Sequence, residues 1–433
     1  MRGRSLLLLA VLLAACEHAR LPVDAGVGAR PELPSPQPSL VPTVKIAKAT
    51  GWPDGRTPVA ASGLAVHAFA TGLQHPRWLY VLPNGDVLVA ETNAPAKPPH
   101  RRTIKEWFMD HFQKVAGAAV PSPDRITLLR DADGDGVAET RTPFLEHLHS
   151  PFGMALAGDA FYVGNTDAVV RVPYRDGDTS ITAAPETIVA LPAGAHNYHW
   201  TRNVVANGDG SRLYVSVGSD SNIGERGMAA EERRAAILEV DPRAKSARLF
   251  ASGLRNPVGM AWEPSSGALW AVVNERDEMG SDLVPDLFTS IRDGSFYGWP
   301  YSYFGRHVDA RVQPQRPELV ATAVTPDYAI GPHAGSLGLA FYTASLLPPH
   351  YAGGAFIGQH GSWNRRPRSG YKVIFVPFAN GRPRGEAEDV LTGFIDERDR
   401  AMGRPVGMAV DRAGALLVAD DVGNAIWRVT PAR

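Results

Sequence analysis

The chain has 433 residues, and its 44 Lys and Arg balance 45 Asp and Glu, so it lacks the basic excess of a nucleic-acid binder and the charge of an acidic disordered tail. Hydrophobic residues make up 44% of it, enough for a large core, and 43 glycines with 36 prolines point to many turns rather than long helices. A single cysteine excludes a disulfide framework, a cysteine zinc site and a C-x-x-C-H haem attachment.

The N-terminus reads as an export signal. Arg2 and Arg4 precede an apolar stretch, Ser5 to Ala15, too short to span a bilayer. Leu13-Ala14-Ala15-Cys16 is similar to the lipobox of bacterial lipoproteins, in which the cysteine becomes the acylated first residue of the mature chain. Residues 1–15 are therefore assigned to a lipoprotein signal peptide and Cys16 to lipidation. The expected location is the periplasmic face of a membrane, the outer one by similarity of Glu17 to Gram-negative sorting rules. Residues 16–45 carry many Pro and Ser and read as an extended linker.

Beyond it, one unit recurs. Gly72-Leu73-Gln74-His75-Pro76 leads through Leu79-Tyr80-Val81 and a Pro83-Asn84-Gly85-Asp86 turn to Val87-Leu88-Val89-Ala90. Similar pairs of apolar runs start near His149, Trp200, Gly253, Gly335 and Gly403, four of them carrying a Gly-Met-Ala or Gly-Leu-Ala step. Each is a strand, a turn and a second strand, the inner hairpin of a four-stranded sheet. Six such units stacked about an axis predict an all-β, six-bladed β-propeller over residues 46–433, with loop and short helical insertions. A strand around Leu64 to Phe69 is expected to share the last blade with Ala425–Val429. Between Thr103 and Val115, Ile104, Trp107, Phe108, Phe112 and Val115 fall on one helical face, which predicts a packing lid.

Asp131-Ala132-Asp133-Gly134-Asp135-Gly136 resembles the start of an EF-hand calcium loop, although its twelfth position is Thr142. Asp131, Asp133 and Asp135 are candidate ligands of a structural Ca²⁺, and a plain Asp-Gly hairpin is the alternative.

Three segments place polar groups at strand mouths. His199 stands at the entry to the third inner hairpin, where an imidazole can take a proton at neutral pH. Arg255-Asn256-Pro257 offers a planar fork and an amide at the fourth, or else a blade-to-blade ion pair. Asn274-Glu275-Arg276-Asp277, with Asp282 and Asp286, places carboxylates and turn carbonyls that could hold a hard cation, followed by the aromatic Phe296-Tyr297-Gly298-Trp299-Pro300.

Together these motifs resemble the glucose/sorbosone dehydrogenase family over about Gly63 to Thr430, nearest its sorbosone and pyranose dehydrogenase branch. These are soluble, six-bladed propeller enzymes that depend on pyrroloquinoline quinone (PQQ) and Ca²⁺. The resemblance implies that His199 is the general base that deprotonates the sugar hydroxyl while hydride passes to PQQ. It implies that Arg255 stabilises charge on the reduced quinone, that Arg255, Asn256, His333 and Arg404 contact the cofactor, and that carbonyls around Glu275, Arg276 and Asp277 hold the catalytic Ca²⁺. The chain departs from the family where a Gln is replaced by the His149-Ser150-Pro151 segment and where Met402 replaces a second basic residue beside Arg404. His360 and Arg365 are the candidates for a missing family lysine. With no fused haem, electrons must pass to an external acceptor, a cytochrome or a quinone. A calcium lactonase built on the same fold and a non-catalytic glycan- or protein-binding propeller are the competing readings.

Overall fold

The structure, a computed structural model, describes residues 18–38, 43–96, 104–194 and 196–432. The signal peptide and Cys16 lie outside the described residues. The six inner hairpins of the sequence are all present, and each is continued outward by two more antiparallel strands. Blade 1 consists of Pro76–Val81, Val87–Glu91, Arg125–Arg130 and Thr140–Leu145. Blade 2 runs from Met154–Ala157 to Glu186–Ala190, blade 3 from Val204–Ala206 to Ser246–Ser252, blade 4 from Pro257–Trp262 to Tyr328–Pro332, and blade 5 from Ser336–Phe341 to Glu388–Thr392. Blade 6 joins Pro405–Val410, Leu416–Asp420 and Ala425–Pro431 to Leu64–Ala70, whose Val66 lies opposite Val429.

The second strands, such as Val87–Glu91, Leu269–Val273 and Leu416–Asp420, are buried at every position. Both faces of each are covered by neighbouring blades, which is why they read as unbroken apolar runs rather than alternating ones. The recurring Gly-Met-Ala step sets how closely the blades approach. A Cβ on Gly407 of blade 6 would lie 2.6 Å from the Arg77 carbonyl of blade 1, and one on Gly338 of blade 5 would overlap the Val406 carbonyl of blade 6. Innermost strands of successive blades touch around the ring, and blade 6 meets blade 1.

Residues 18–38 differ from the expected free linker: they lie along the propeller. Val27–Gly28 pairs with Ile330 and Ala329 as a fifth strand of blade 4. The backbone N–H groups of Arg20 and Leu21 donate to Asp282 Oδ2 at 2.7 and 3.3 Å. Pro and Ser content reports low hydrophobicity, but backbone donors facing an open sheet edge and a carboxylate bind whatever their side chains are. The insertion helix, Ile104–Val115, forms as predicted; Phe112 and Val115 are half-buried, and the Val115 carbonyl accepts from Ala49 N–H at 2.9 Å. No helix among the described residues is long and apolar enough to cross a membrane.

Candidate active site

The segments that start or follow the inner hairpins of blades 4, 5 and 6 surround one cavity, whose lining includes Asp277, His333, His360, Trp363, Asn364 and Arg404. His199 is not in that lining. It stands at the entry to blade 3, where Gly218 allows a close approach: a Cβ there would lie 2.5 Å from that of His199 and would overlap Asn256 Oδ1. His199 Nδ1 lies 2.8 Å from the Ser219 carbonyl oxygen and 3.1 Å from its hydroxyl. A carbonyl only accepts, so Nδ1 carries the proton and Nε2 keeps its lone pair. Burial, reinforced by the Arg255 charge, holds this imidazole well below its usual 6.5.

Arg202, fully buried, fixes the loop that carries His199. Its Nη1 donates to the His199 and Thr201 carbonyls at 2.7 and 2.9 Å, and its Nη2 to the Pro192 carbonyl and Asn197 Oδ1 at 2.6 and 2.9 Å.

Arg255 is 1% exposed and spends its fork inside the protein rather than on the cavity. It donates to the Glu275 carbonyl at 2.7 Å, to Asn222 Oδ1 at 3.0 Å and to Asp277 Oδ2 at 3.1 Å. Its ion pair with Asp277 therefore lies within blade 4, and its bond to Asn222 is the one that crosses to blade 3. Asp277 also accepts from Asn364 Nδ2 at 2.8 Å and sits 3.6 Å from His333 Nδ1. Burial alone would raise the Asp277 carboxyl, but His333 and Arg255 hold it down to about 2. Burial likewise opposes the charge on His333, and Asp277 outweighs it, raising that imidazole.

The expected metal turn is not free. The Asp277 carbonyl accepts from Arg311 Nη1 at 3.0 Å and from Asn222 Nδ2 at 3.2 Å, and the Glu275 carbonyl accepts from Arg255. Arg276 is fully buried, held by Glu275 and by the Pro300 and Ser302 carbonyls at 2.8 and 2.7 Å. Guanidinium and amide donors already satisfy the Glu275 and Asp277 carbonyls, so a Ca²⁺ held by Glu275, Arg276 and Asp277 would have to displace them.

His360 lines the cavity with its Nε2 2.9 Å from Asp421 Oδ2, and Arg77 Nη1 reaches the same carboxylate at 2.5 Å. Burial lowers His360 to about 4 despite that neighbour. Arg404 is 4% exposed, packs over the Tyr371 ring at 5.0 Å and leaves Nε and Nη2 without partners. Asn256 Oδ1 and Asn364 Oδ1 are likewise buried and unpaired. Arg404 and Asn364 share the cavity lining, whereas Asn256 lies near Gly218; buried polar atoms left unpaired are costly unless a ligand satisfies them. Arg365 does not belong here: its Nη1 donates to the Pro367 carbonyl at 2.8 Å and its Nη2 to the Leu21 carbonyl at 3.2 Å, away from the cavity. Arg365 is fully buried on these main-chain acceptors and is absent from the cavity lining, unlike its neighbour Asn364.

Sequence reasoning missed Asn222, whose Oδ1 also accepts the Asp277 N–H at 2.9 Å, and it gave no role to Asn364. Asn222 sits in an insertion without a motif. The aromatic motif explains its placement, since Trp299 Nε1 donates to the Asn222 carbonyl at 2.9 Å.

Away from the cavity, Asp131, Asp133, Asp135 and Glu139 bring four carboxylate oxygens within 4.8 Å of one another. They lie in the outer hairpin of blade 1, where Arg130 pairs with Thr140, and Asp131 caps the Gly134 and Gly136 N–H groups at 2.8 and 2.9 Å.

A family model described as TrAA12-like matches residues 125–286 and 318–432. A pyrroloquinoline quinone-dependent pyranose dehydrogenase of Coprinopsis cinerea is 27% identical over 293 residues, which is 55% of this chain and 40% of that protein. The chain thus matches less than half the length of that relative. An aldose sugar dehydrogenase of Escherichia coli is 31% identical over 103 residues, 24% of this chain and 26% of that one. The holo form of the pyranose dehydrogenase PQQ domain from Coprinopsis cinerea superposes with a TM-score of 0.69 at 20% identity, covering 89% of this chain and 100% of that one. A calcium structure of a Trichoderma reesei family AA12 protein gives 0.69 at 20%, over 90% and 99%. At that identity the solved structures bear on the fold alone, and the fold is the six-bladed propeller.

Proposed function

We propose, from the premise that the chain belongs to the TrAA12-like family of soluble PQQ-dependent sugar dehydrogenases, that it oxidises a CH–OH group of an aldose or related sugar or aldehyde, sorbosone among the candidates. The observation that carries this reading is a neutral imidazole, His199, beside a cavity that holds the unpaired guanidinium edge of Arg404. The residues present fit a planar tricarboxylate quinone. Arg404 would meet a carboxylate, and His333, His360, Asn256 and Asn364 would supply the remaining polar contacts. When bound, PQQ supplies an ortho-quinone that accepts the hydride of the alcohol carbon.

The chain's own part is positional and acid–base. His199 Nε2 takes the hydroxyl proton as the C–H bond gives up its electron pair, leaving a carbonyl product. Ser219 holds the tautomer that makes this possible, and Arg202 holds the loop. Arg255 and Asn222 fix Asp277, whose charge keeps His333 protonated to higher pH. The electrons leave for a separate acceptor, a cytochrome or a quinone.

From the lipobox-like Leu13-Ala14-Ala15-Cys16 we also propose that the protein is held at a periplasmic membrane face, the outer membrane's, by an acylated Cys16. Labelling with a fatty acid, abolished in Cys16→Ser, tests it. A structural Ca²⁺ belongs to the Asp131, Asp133, Asp135 and Glu139 cluster, whose hard oxygen donors suit it. Calorimetric titration with Ca²⁺ should show binding that Asp133→Asn with Asp135→Asn removes. For the activity, the protein is loaded with PQQ and the bound-quinone absorbance followed on adding aldoses, aldehydes and polyols. Bleaching by a sugar supports the proposal. A bound quinone that no sugar, aldehyde or polyol bleaches overturns it.

A further inference from the structure

The residue before His199 has no role in the chemistry above, yet it is the conspicuous side chain of the loop. The Tyr198 ring stands edge-on to the His199 imidazole, with centroids 4.7 Å apart and planes at 84°. It is 49% exposed, and among the described residues it is the one aromatic in the set of exposed large apolar side chains. Burial raises its phenol and the Asp277 charge adds to the rise, so the hydroxyl end is enclosed near that carboxylate while about half of the side chain is open. Its hydroxyl has no hydrogen-bond partner among the described residues.

The ring is presented rigidly. Asn197, on one side, donates to Thr166 Oγ1 at 2.6 Å and accepts from Arg202; His199, on the other, is held by Ser219 and Arg202. An aromatic ring left half open to water on a pinned loop, in contact with the proposed base, forgoes part of the burial its apolar area would otherwise gain. Aromatic faces of this kind in ligand pockets recover that loss against an apolar surface of the ligand. A pyranose with equatorial hydroxyls has such a surface: its axial C–H bonds make a flat apolar face, and its hydroxyls lie around the edge.

We infer that Tyr198 is a specificity-determining residue, the platform on which the C–H face of a pyranose rests while its edge faces the His199 imidazole. Ring sugars are then preferred over short open-chain aldehydes, which have no face to stack. This deepens the dehydrogenase reading and rests on it for the role of His199.

The test uses the full chain loaded with PQQ, as wild type, Tyr198→Phe and Tyr198→Ala, with an aldohexose and with glyceraldehyde. Tyr198→Ala should raise KM for the aldohexose about tenfold, the equivalent of losing one aromatic contact, and leave KM for glyceraldehyde unchanged. Tyr198→Phe keeps the face and should stay close to wild type. An unchanged aldohexose KM, or an equal rise for both substrates, overturns the inference. A second measurement does not need turnover. Saturation-transfer NMR of the aldohexose with PQQ-free protein should show transfer to the sugar's axial C–H protons in wild type and Tyr198→Phe, and none in Tyr198→Ala. Transfer that survives in Tyr198→Ala, or its absence in wild type, overturns the platform. If PQQ-loaded wild type oxidises neither substrate, the dehydrogenase reading fails, while the NMR result still decides whether Tyr198 binds a sugar.

Discussion

Arg202 holds His199 by its main chain: the guanidinium Nη1 donates to the His199 carbonyl at 2.7 Å from a fully buried position among carbonyl and amide acceptors. Burial, with Arg234 nearby, pulls this guanidinium down to about 9, a cost that its four carbonyl and amide acceptors offset. Replacing it by Met should lower kcat/KM by about 10²-fold, the usual scale for a catalytic group displaced by an ångström. Because the Arg202 charge also depresses His199, the acid limb of the pH profile should move to higher pH in Arg202→Met. A merely structural role would lower the amount of active protein and leave that limb in place.

His199 is neutral throughout the physiological range, since its imidazole lies well below 6.5. A base is active when unprotonated, so kcat/KM should be level from about pH 6.5 upward with respect to this group and fall only in acid. His199→Ala should cost about 10²–10⁴-fold in kcat and leave PQQ affinity near wild type. Equal loss of PQQ affinity, measured by titrating the bound-quinone absorbance, would make His199 a cofactor ligand instead.

Arg404 is the opposite case, a group important for holding the ligand rather than for turnover. Arg404→Met should weaken PQQ binding by about 10- to 100-fold, the loss of one or two charge-assisted hydrogen bonds. In the PQQ-free protein the same change removes a buried cation with unpaired nitrogens, so thermal stability should be unchanged or higher. A fall in melting temperature of the PQQ-free variant would show that the contact with Tyr371 outweighs that cost.

Asp277 ties the cavity to acid stability. Its carboxyl is held at about 2 in the folded protein against roughly 3.9 unfolded. A depressed carboxyl contributes stability that is fully present above the unfolded value and is lost as pH falls through the folded one. The difference corresponds to about 2–3 kcal/mol. Asp277→Asn should therefore be less stable than wild type at pH 7, and the gap should narrow between pH 4 and pH 2. Urea unfolding of the PQQ-free protein over that range measures it, and a gap of constant size would mean that the carboxylate charge is not what the site uses.

The blades were legible because each inner hairpin repeats the same physical demand. A strand buried on both faces, a Gly where the next blade's backbone approaches and a polar turn recur at Gly259, Gly338 and Gly407, and all three prove to be contact points. The cavity lining was legible only near that repeat, as at His333, His360 and Arg404. Asn222 and Asn364 come from insertions, whose positions follow from tertiary contacts rather than from a period. Arg255 and Arg276 were recognised as important, but an arginine's motif does not say whether its fork faces a ligand or a neighbour's carbonyl. Arg365 shows the same limit one residue from a cavity amide, and the docked segment 18–38 shows that backbone pairing leaves little trace in composition.

The pairing of Leu64–Ala70 with Ala425–Pro431 has a consequence for how the molecule comes into being. The strand near the start of the propeller has no sheet to join until Ala425–Pro431 exist, some 360 positions later on the same polypeptide. Ring closure is thus a clasp fastened only once Ala425–Pro431 have been made: a chain cut short before residue 425 leaves the Leu416–Asp420 edge of blade 6 open and Leu64–Ala70 without a partner strand.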